Sequence, residues 1–356
     1  MTIPSTMRAA VLYDWNDIRV EERPVPRPGP EEVLIKIEAC SICAGDVKII
    51  SRGMPKQPPM GEFIIGHEYA GVIIEKGETV DEFELGDRVT VEVHKGCGRC
   101  RNCLEGKYTA CLNYGDTSKG HRANGFTTNG GFAEYAVNHV NTICKIPEGI
   151  SFDEATVITT AGTSLYGIDK AGGFVPGDSV AVIGPGPIGL MAVQSAKAIG
   201  AENVILVGTR QNRLDLGKKI GADHVINVKE DADPVETMKK FTGGVGPDVI
   251  LVAAGNETAL QHAIEMCRKG GSIVLLAHFD EAVQVHIGKA VINLIDIFVV
   301  RGEGRRSVHK ALSLVEQGRI DCKPIITHEF PLEEISEGFD TFIKRKGDAI
   351  KVVIHP

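Results

Sequence analysis

The feature that most constrains this chain is a glycine loop set between a strand and a helix. Residues 180–189 read Val-Ala-Val-Ile-Gly184-Pro-Gly186-Pro187-Ile188-Gly189. Gly184 allows the tight turn that ends the apolar run. Gly186 leaves the backbone open to a pyrophosphate, and Gly189 lets the next helix pack close to the sheet. The start of that helix presents N–H groups to the phosphates. A bare glycine triplet is a weak signal, but here a strand precedes it and a helix follows. Gly184, Gly186, Pro187, Ile188 and Gly189 are therefore expected to line a dinucleotide site.

The same alternation runs through the segment. Strands are expected at Ser179–Ile183, Asn203–Val207, Asp248–Val252 and Ser272–Leu276, with helices at Ile188–Ile199, Asn212–Ile220 and Glu257–Arg268. A further helical stretch, Ser151–Ala171, precedes them. Such βαβ units imply a doubly wound parallel sheet. In a dinucleotide fold the second strand ends near an acidic residue that binds the ribose 2′-hydroxyl. Here Gly208, Thr209 and Arg210 follow Val207, with Arg213 close by and no carboxylate. Arginine accepts a 2′-phosphate through charge-assisted hydrogen bonds. NADP(H) is thus expected on Thr209, Arg210 and Arg213, with NAD(H) the alternative. Ala254, in Val252-Ala-Ala-Gly-Asn256 at the end of a sheet strand, is expected near the nicotinamide.

Before residue 150 the pattern is different. Val33–Glu38, Gly71–Glu75 and Val89–Val93 read as strands, punctuated by Gly and Pro as in a barrel-like β unit. Cys97, Cys100, Cys103 and Cys111 lie in this half with spacing C-x2-C-x2-C-x7-C. Four thiolates close a tetrahedral shell around zinc and leave no position for chemistry, which marks a structural site. A redox pair or an iron–sulfur cluster has similar spacing, but no other redox feature accompanies it. Cys144, Cys267 and Cys322 stand alone and read as buried apolar residues.

A second set of donors is scattered. Cys43 lies in Cys-Ser-Ile-Cys-Ala-Gly-Asp46, and His67 and Glu68 lie in Gly66-His-Glu-Tyr-Ala-Gly71. One thiolate, one imidazole and one carboxylate suit a zinc with an open position. Cys40 competes with Cys43 for the thiolate role, and Glu68 could instead support a ligand from behind.

Composition excludes several classes of function. A net charge of −8 and no basic block argue against nucleic-acid binding. No basic segment followed by an apolar core opens the chain, and no apolar run is long enough to span a bilayer. A cytoplasmic protein is expected. In that compartment nine cysteines serve metal binding better than disulfides.

The quartet, the Gly66-His67-Glu68 segment and the Gly-Pro-Gly-Pro-Ile-Gly loop together resemble the zinc-containing medium-chain dehydrogenase/reductase family over nearly the whole chain. The likeness is greatest to its polyol and threonine dehydrogenase branch. It implies a β-rich GroES-like catalytic domain over residues 1–150 and 295–356, its final strand supplied by Ala349–Ile354, and a Rossmann domain over 151–294. It also implies catalytic zinc on Cys43, His67 and Glu68, with water completing the shell, and a homodimer or homotetramer. Two positions depart from the family pattern. Gly45 stands where Ser or Thr often begins a proton relay, and Thr159 or Thr160 where a further ligand is common. Thr160 and Asp46 are candidates for orienting the metal site. The implied activity is hydride transfer between a secondary alcohol, a polyol or sugar alcohol, and NAD(P). The alternatives are another secondary alcohol or threonine as substrate, or an inactive NADP-sensing metal scaffold.

Overall fold

A computed structural model describes residues 3–356. The chain divides into two compact units. One runs to Thr159 and resumes at Ile325; the other is the continuous stretch Thr160–Pro324.

The first unit is built on a seven-stranded sheet. Its path runs Ile143–Lys145, Arg88–Val91, Glu68–Lys76, Glu32–Ser41, Lys351–His355, Ile326–Pro331, and Tyr135–His139 pairs with the N-terminal half of Glu32–Ser41. Glu32–Ser41 is the hub because its far end also takes the C-terminal strand, with Val353 opposite Ser41 and Ile354 opposite Cys40. A smaller sheet of Asp17–Pro24, Thr6–Asp14 and Phe63–Ile64 lies in the same unit. Leu12, Ile35, Phe63, Tyr69, Phe132 and Ile354 share its core. The C-terminal strand therefore belongs to this β unit.

The second unit has six parallel strands in the order His224–Asn227, Asn203–Gly208, Ser179–Ile183, Val249–Val252, Ser272–Leu275, Asp296–Val299. This order, with the first strand in the middle, is that of dinucleotide-binding sheets. The inner strands are unbroken apolar runs because both faces are covered; Val249–Val252 is buried throughout.

The structure corrects the division of the tail near residue 295. Asp296–Val299 pairs in parallel with Ser272–Leu275, so this stretch extends the nucleotide sheet. The helix Arg305–Glu316 stays with it, Val308 lying against Gly162. The helical stretch Ser151–Ala171 is two helices, Phe152–Thr156 and Ile158–Lys170. Among the described residues no helix is long and apolar enough to cross a membrane.

Candidate active site and metal centres

The cysteine quartet leaves the sheet after the strand His94–Lys95 and returns before its partner, Arg122–Ala123. Leu104 and Leu112 in this loop point outward, so it has little core to hold it. The sulfurs do what a core would do. Cys97 Sγ lies 3.9 Å from Cys103 Sγ and Cys100 Sγ 3.9 Å from Cys111 Sγ, and all four atoms lie within 4.8 Å of one another. Zinc–sulfur bonds of about 2.3 Å in a tetrahedron put the sulfurs roughly 3.8 Å apart. The quartet therefore fits zinc and is too open for disulfides, whose sulfurs lie about 2.05 Å apart. Backbone N–H groups of Cys97 and Asn113 point at Cys111 Sγ, and Asn113 Nδ2 points at Cys97 Sγ. The backbone at Arg99 and the Asn113 side chain hold the Cys97 thiol down at about 6, while burial pushes Cys103 up to about 12. A loop of this kind would gain its order from an ion bound there.

The open site is assembled from three segments. Cys43 caps the helix Ala44–Arg52, and Asp46, in its first turn, accepts the Cys43 backbone N–H through Oδ2 at 2.9 Å. The other oxygen of Asp46 faces His67 Nδ1 at 2.9 Å. A histidine that donates Nδ1–H to a carboxylate presents Nε2 to a metal with its ring fixed. Burial alone would lower the His67 pKa, but Asp46 and Cys43 hold it well above the usual histidine range. Asp46 is fully buried, so the pair is screened from water. Gly66 turns the chain before His67 with φ +97, and the neighbouring backbone leaves no space beside it: a Cβ on Gly130 would stand 1.9 Å from the Gly66 carbonyl.

Ligand atoms of Cys43, His67 and Glu68 lie within 4.8 Å of one another, and Cys40 is not among them. Cys40 sits in the strand Glu32–Ser41 with its thiol raised far above the usual range by burial. The trio fits a zinc with one position left over. Gly45 opens the space beside it, since a Cβ there would lie 3.1 Å from His67 Cε1. Thr159 ends the first unit and Thr160 begins the second, both buried, and the Thr160 carbonyl accepts the Ser164 hydroxyl at 3.2 Å.

One residue of this site is invisible to motif reading. Lys351, on the C-terminal strand, is only 2% exposed and forms an ion pair with Glu68 Oε2. Ser41 Oγ donates to the same oxygen at 2.7 Å. Burial would raise the Glu68 pKa, but Lys351 and His67 bring it below the usual carboxylate range. The available signal was a lone charge in Ala-Ile-Lys-Val-Val-Ile, residues 349–354. A third group, Asp153, Glu329 and His355, is partly exposed. His355 Nε2 lies 3.7 Å from each carboxylate, the spacing of an ordinary surface ion-pair group.

In the second unit each loop glycine meets the surroundings its place demands. Gly184 has φ +107, and a Cβ there would come within 3.0 Å of the Ala253–Ala254 backbone. Gly186 has nothing within 4 Å of a Cβ, so its face is open to a ligand. A Cβ on Gly189 would stand 1.9 Å from the Gly184 carbonyl, so the helix Pro187–Ala198 packs directly on the turn. Gly208 ends the second strand, and a Cβ there would lie 2.5 Å from Pro185 Cδ. Arg213 is buried with Nη1 3.5 Å from the Pro185 carbonyl, while Arg210 is half-buried and Thr209 exposed. Residues that could hold a pyrophosphate and a ribose phosphate thus flank one turn.

A Rossmann unit and a β unit with one closed and one open zinc-type donor set define a zinc-binding dehydrogenase. Residues 187–317 match the zinc-binding dehydrogenase family, and residues 29–148 match the alcohol dehydrogenase GroES-like domain. The chain is 32% identical to a sorbitol dehydrogenase of Bacillus subtilis, covering 100% of this chain and 99% of that one. It is 34% identical to an L-threonine 3-dehydrogenase of Bacillus licheniformis, over 94% of each. The structure of a zinc-binding dehydrogenase from Sinorhizobium meliloti 1021 bound to NADP superposes with a TM-score of 0.89 at 28% identity, covering 99% of this chain and 100% of that one. The chain belongs to the zinc-containing medium-chain dehydrogenase family. It is an alcohol-oxidising or carbonyl-reducing enzyme that uses zinc and a nicotinamide cofactor.

Proposed function

We propose that the enzyme interconverts a polyol or sugar alcohol and its ketone, with NADP(H) preferred. The observation that carries the site assignment is the Cys43–His67–Glu68 cluster braced by Asp46. A zinc ion held there would supply Lewis acidity to the substrate hydroxyl, and the nicotinamide would accept the hydride. The chain's own residues do the rest. Asp46 keeps the Nδ1 proton on His67 and so directs Nε2 to the metal position. Gly45 supplies no relay hydroxyl, so the alcohol proton leaves through water or a second hydroxyl of the substrate. A polyol brings that hydroxyl with it, which favours this substrate class. Gly186 and the helix that follows receive the pyrophosphate, and Arg210 and Arg213 face a 2′-phosphate. Ala254, beside Gly184, lines the nicotinamide end. Thr160 is the candidate that the family likeness offers for orienting the metal site.

Two zincs per chain are expected, one on Cys97, Cys100, Cys103 and Cys111. We also propose a cytoplasmic homodimer or homotetramer, in which subunits pair through the exposed edge strand Asp296–Val299. A threonine or simple secondary-alcohol substrate is the second reading, favoured by the threonine dehydrogenase likeness. Turnover of a panel of polyols, threonine and simple secondary alcohols, each with NADP and NAD, decides between them. A kcat/KM highest for polyols with NADP is expected. A maximum on threonine, or equal use of both cofactors, overturns the corresponding part.

A further inference from the structure

A buried lysine is rare unless paired, because removing an ammonium group from water is costly. Lys351 is 2% exposed, lies on the last strand, and its Nζ pairs with Glu68 Oε2 and approaches the Ile42 carbonyl at 3.4 Å. Glu68 Oε2 also receives the Ser41 hydroxyl. Two donors therefore compete for the electron density that Glu68 would otherwise offer a metal. With a metal bound through the Cys43 thiolate, Cys43, Glu68 and Asp46 would bring three negative charges to this point. A divalent ion and the Lys351 ammonium together would carry three positive charges and so balance them.

We propose that Lys351 is a positioning residue for the catalytic metal: by holding Glu68 and balancing its charge, it keeps Glu68 a weak, exchangeable ligand and leaves a coordination position for substrate. The inference rests on the reading that Cys43, His67 and Glu68 hold zinc. Without the ammonium charge, Glu68 turns its full charge to the metal, the position for substrate closes, and the ion is held more tightly. The lost electrostatic repulsion acts over a few ångströms in a buried site and outweighs the lost hydrogen bond. A residue that merely packs would act the other way, since damage around a metal site usually loosens it.

The test compares zinc-loaded enzyme with Lys351→Met and Lys351→Arg, with Cys43→Ala as reference. Zinc is counted per chain, its loss to a chelator is timed, and the visible spectrum of the Co2+-substituted enzyme is recorded. We expect Lys351→Met to release the catalytic zinc on the order of tenfold more slowly than the unaltered enzyme. Its kcat should fall, and its Co2+ spectrum should move toward higher coordination. Lys351→Arg restores all three readouts. Equal or faster zinc release by a folded Lys351→Met, with an unchanged Co2+ spectrum, overturns the inference. If Lys351→Met does not fold, Lys351→Gln, which keeps a donor for Glu68 but removes the charge, is held to the same outcomes. Failure of the underlying reading looks different: Cys43→Ala would then hold as much zinc as the unaltered enzyme.

Discussion

At the scale of single residues, the open metal site is a set of paired constraints. Asp46 ties the turn after Cys43 to the His67 ring through its two oxygens. Replacing it with alanine frees the ring, and such outer partners are worth about 10–100-fold in metal affinity. Asp46→Ala should therefore lose its catalytic zinc on dialysis against a chelator while the quartet zinc stays, as metal counting will show. Arg210 carries the cofactor prediction. A charge-assisted hydrogen bond contributes about 1.5–3 kcal/mol, so Arg210→Ala should raise KM for NADP roughly ten- to hundredfold and leave KM for NAD nearly unchanged. Gly208 gives a spatial reason for the missing carboxylate, because any side chain there collides with Pro185. Cys43, His67, Glu68 and the quartet were legible because metal donors stand out among apolar neighbours. The grip of Asp46 was legible only as one of two equal options, since a carboxylate in a helix's first turn is also an ordinary cap. Lys351 was not legible as part of the site, because 283 positions separate it from Glu68.

At the scale of elements, the glycine loop separates fold from ligand. A Cβ at position 189 meets backbone, which cannot move cheaply, whereas at 186 it meets open space. Gly189→Ala should cost about 1–3 kcal/mol, as overpacking does, and lower the melting temperature even without cofactor. Gly186→Ala should melt within a degree or two of the parent yet bind cofactor more weakly, as calorimetry and a binding titration will read. The strands of the loop region were readable because continuous apolar runs bounded by Gly mark a covered parallel sheet. His224–Asn227 was missed, being four residues long and mostly half-buried at the sheet margin. Asp296–Val299 was missed for a similar reason, since its side chains are largely exposed.

At the scale of the whole molecule, that edge strand is the most conspicuous surface of the nucleotide unit. Val291, Ile292, Leu294 and Val299 are each more than two-thirds exposed around a sheet edge that has no partner strand among the described residues. Apolar edges of this kind are liabilities unless covered, and in the proposed dimer a second copy would cover them by a twofold pairing. Val299→Glu should shift the enzyme toward monomer in sedimentation while sparing zinc content. The two-unit plan itself was legible in the change of periodicity near residue 150. The return point was not, because nothing in the composition near residue 295 distinguishes another sheet strand from a crossing back.

The C-terminal strand also sets an order on synthesis. Its place beside Glu32–Ser41 means that the β unit lacks a staple until residues 351–355 leave the ribosome, whereas Thr160–Pro324 is complete earlier. Domains fold as units while the chain emerges. The nucleotide sheet is therefore able to assemble first, and the Glu68 carboxylate waits for its ammonium partner until Lys351 has been made. A nascent chain stalled before residue 351 thus carries a Glu68 carboxylate without its ammonium partner, and the strand Lys351–His355 supplies it.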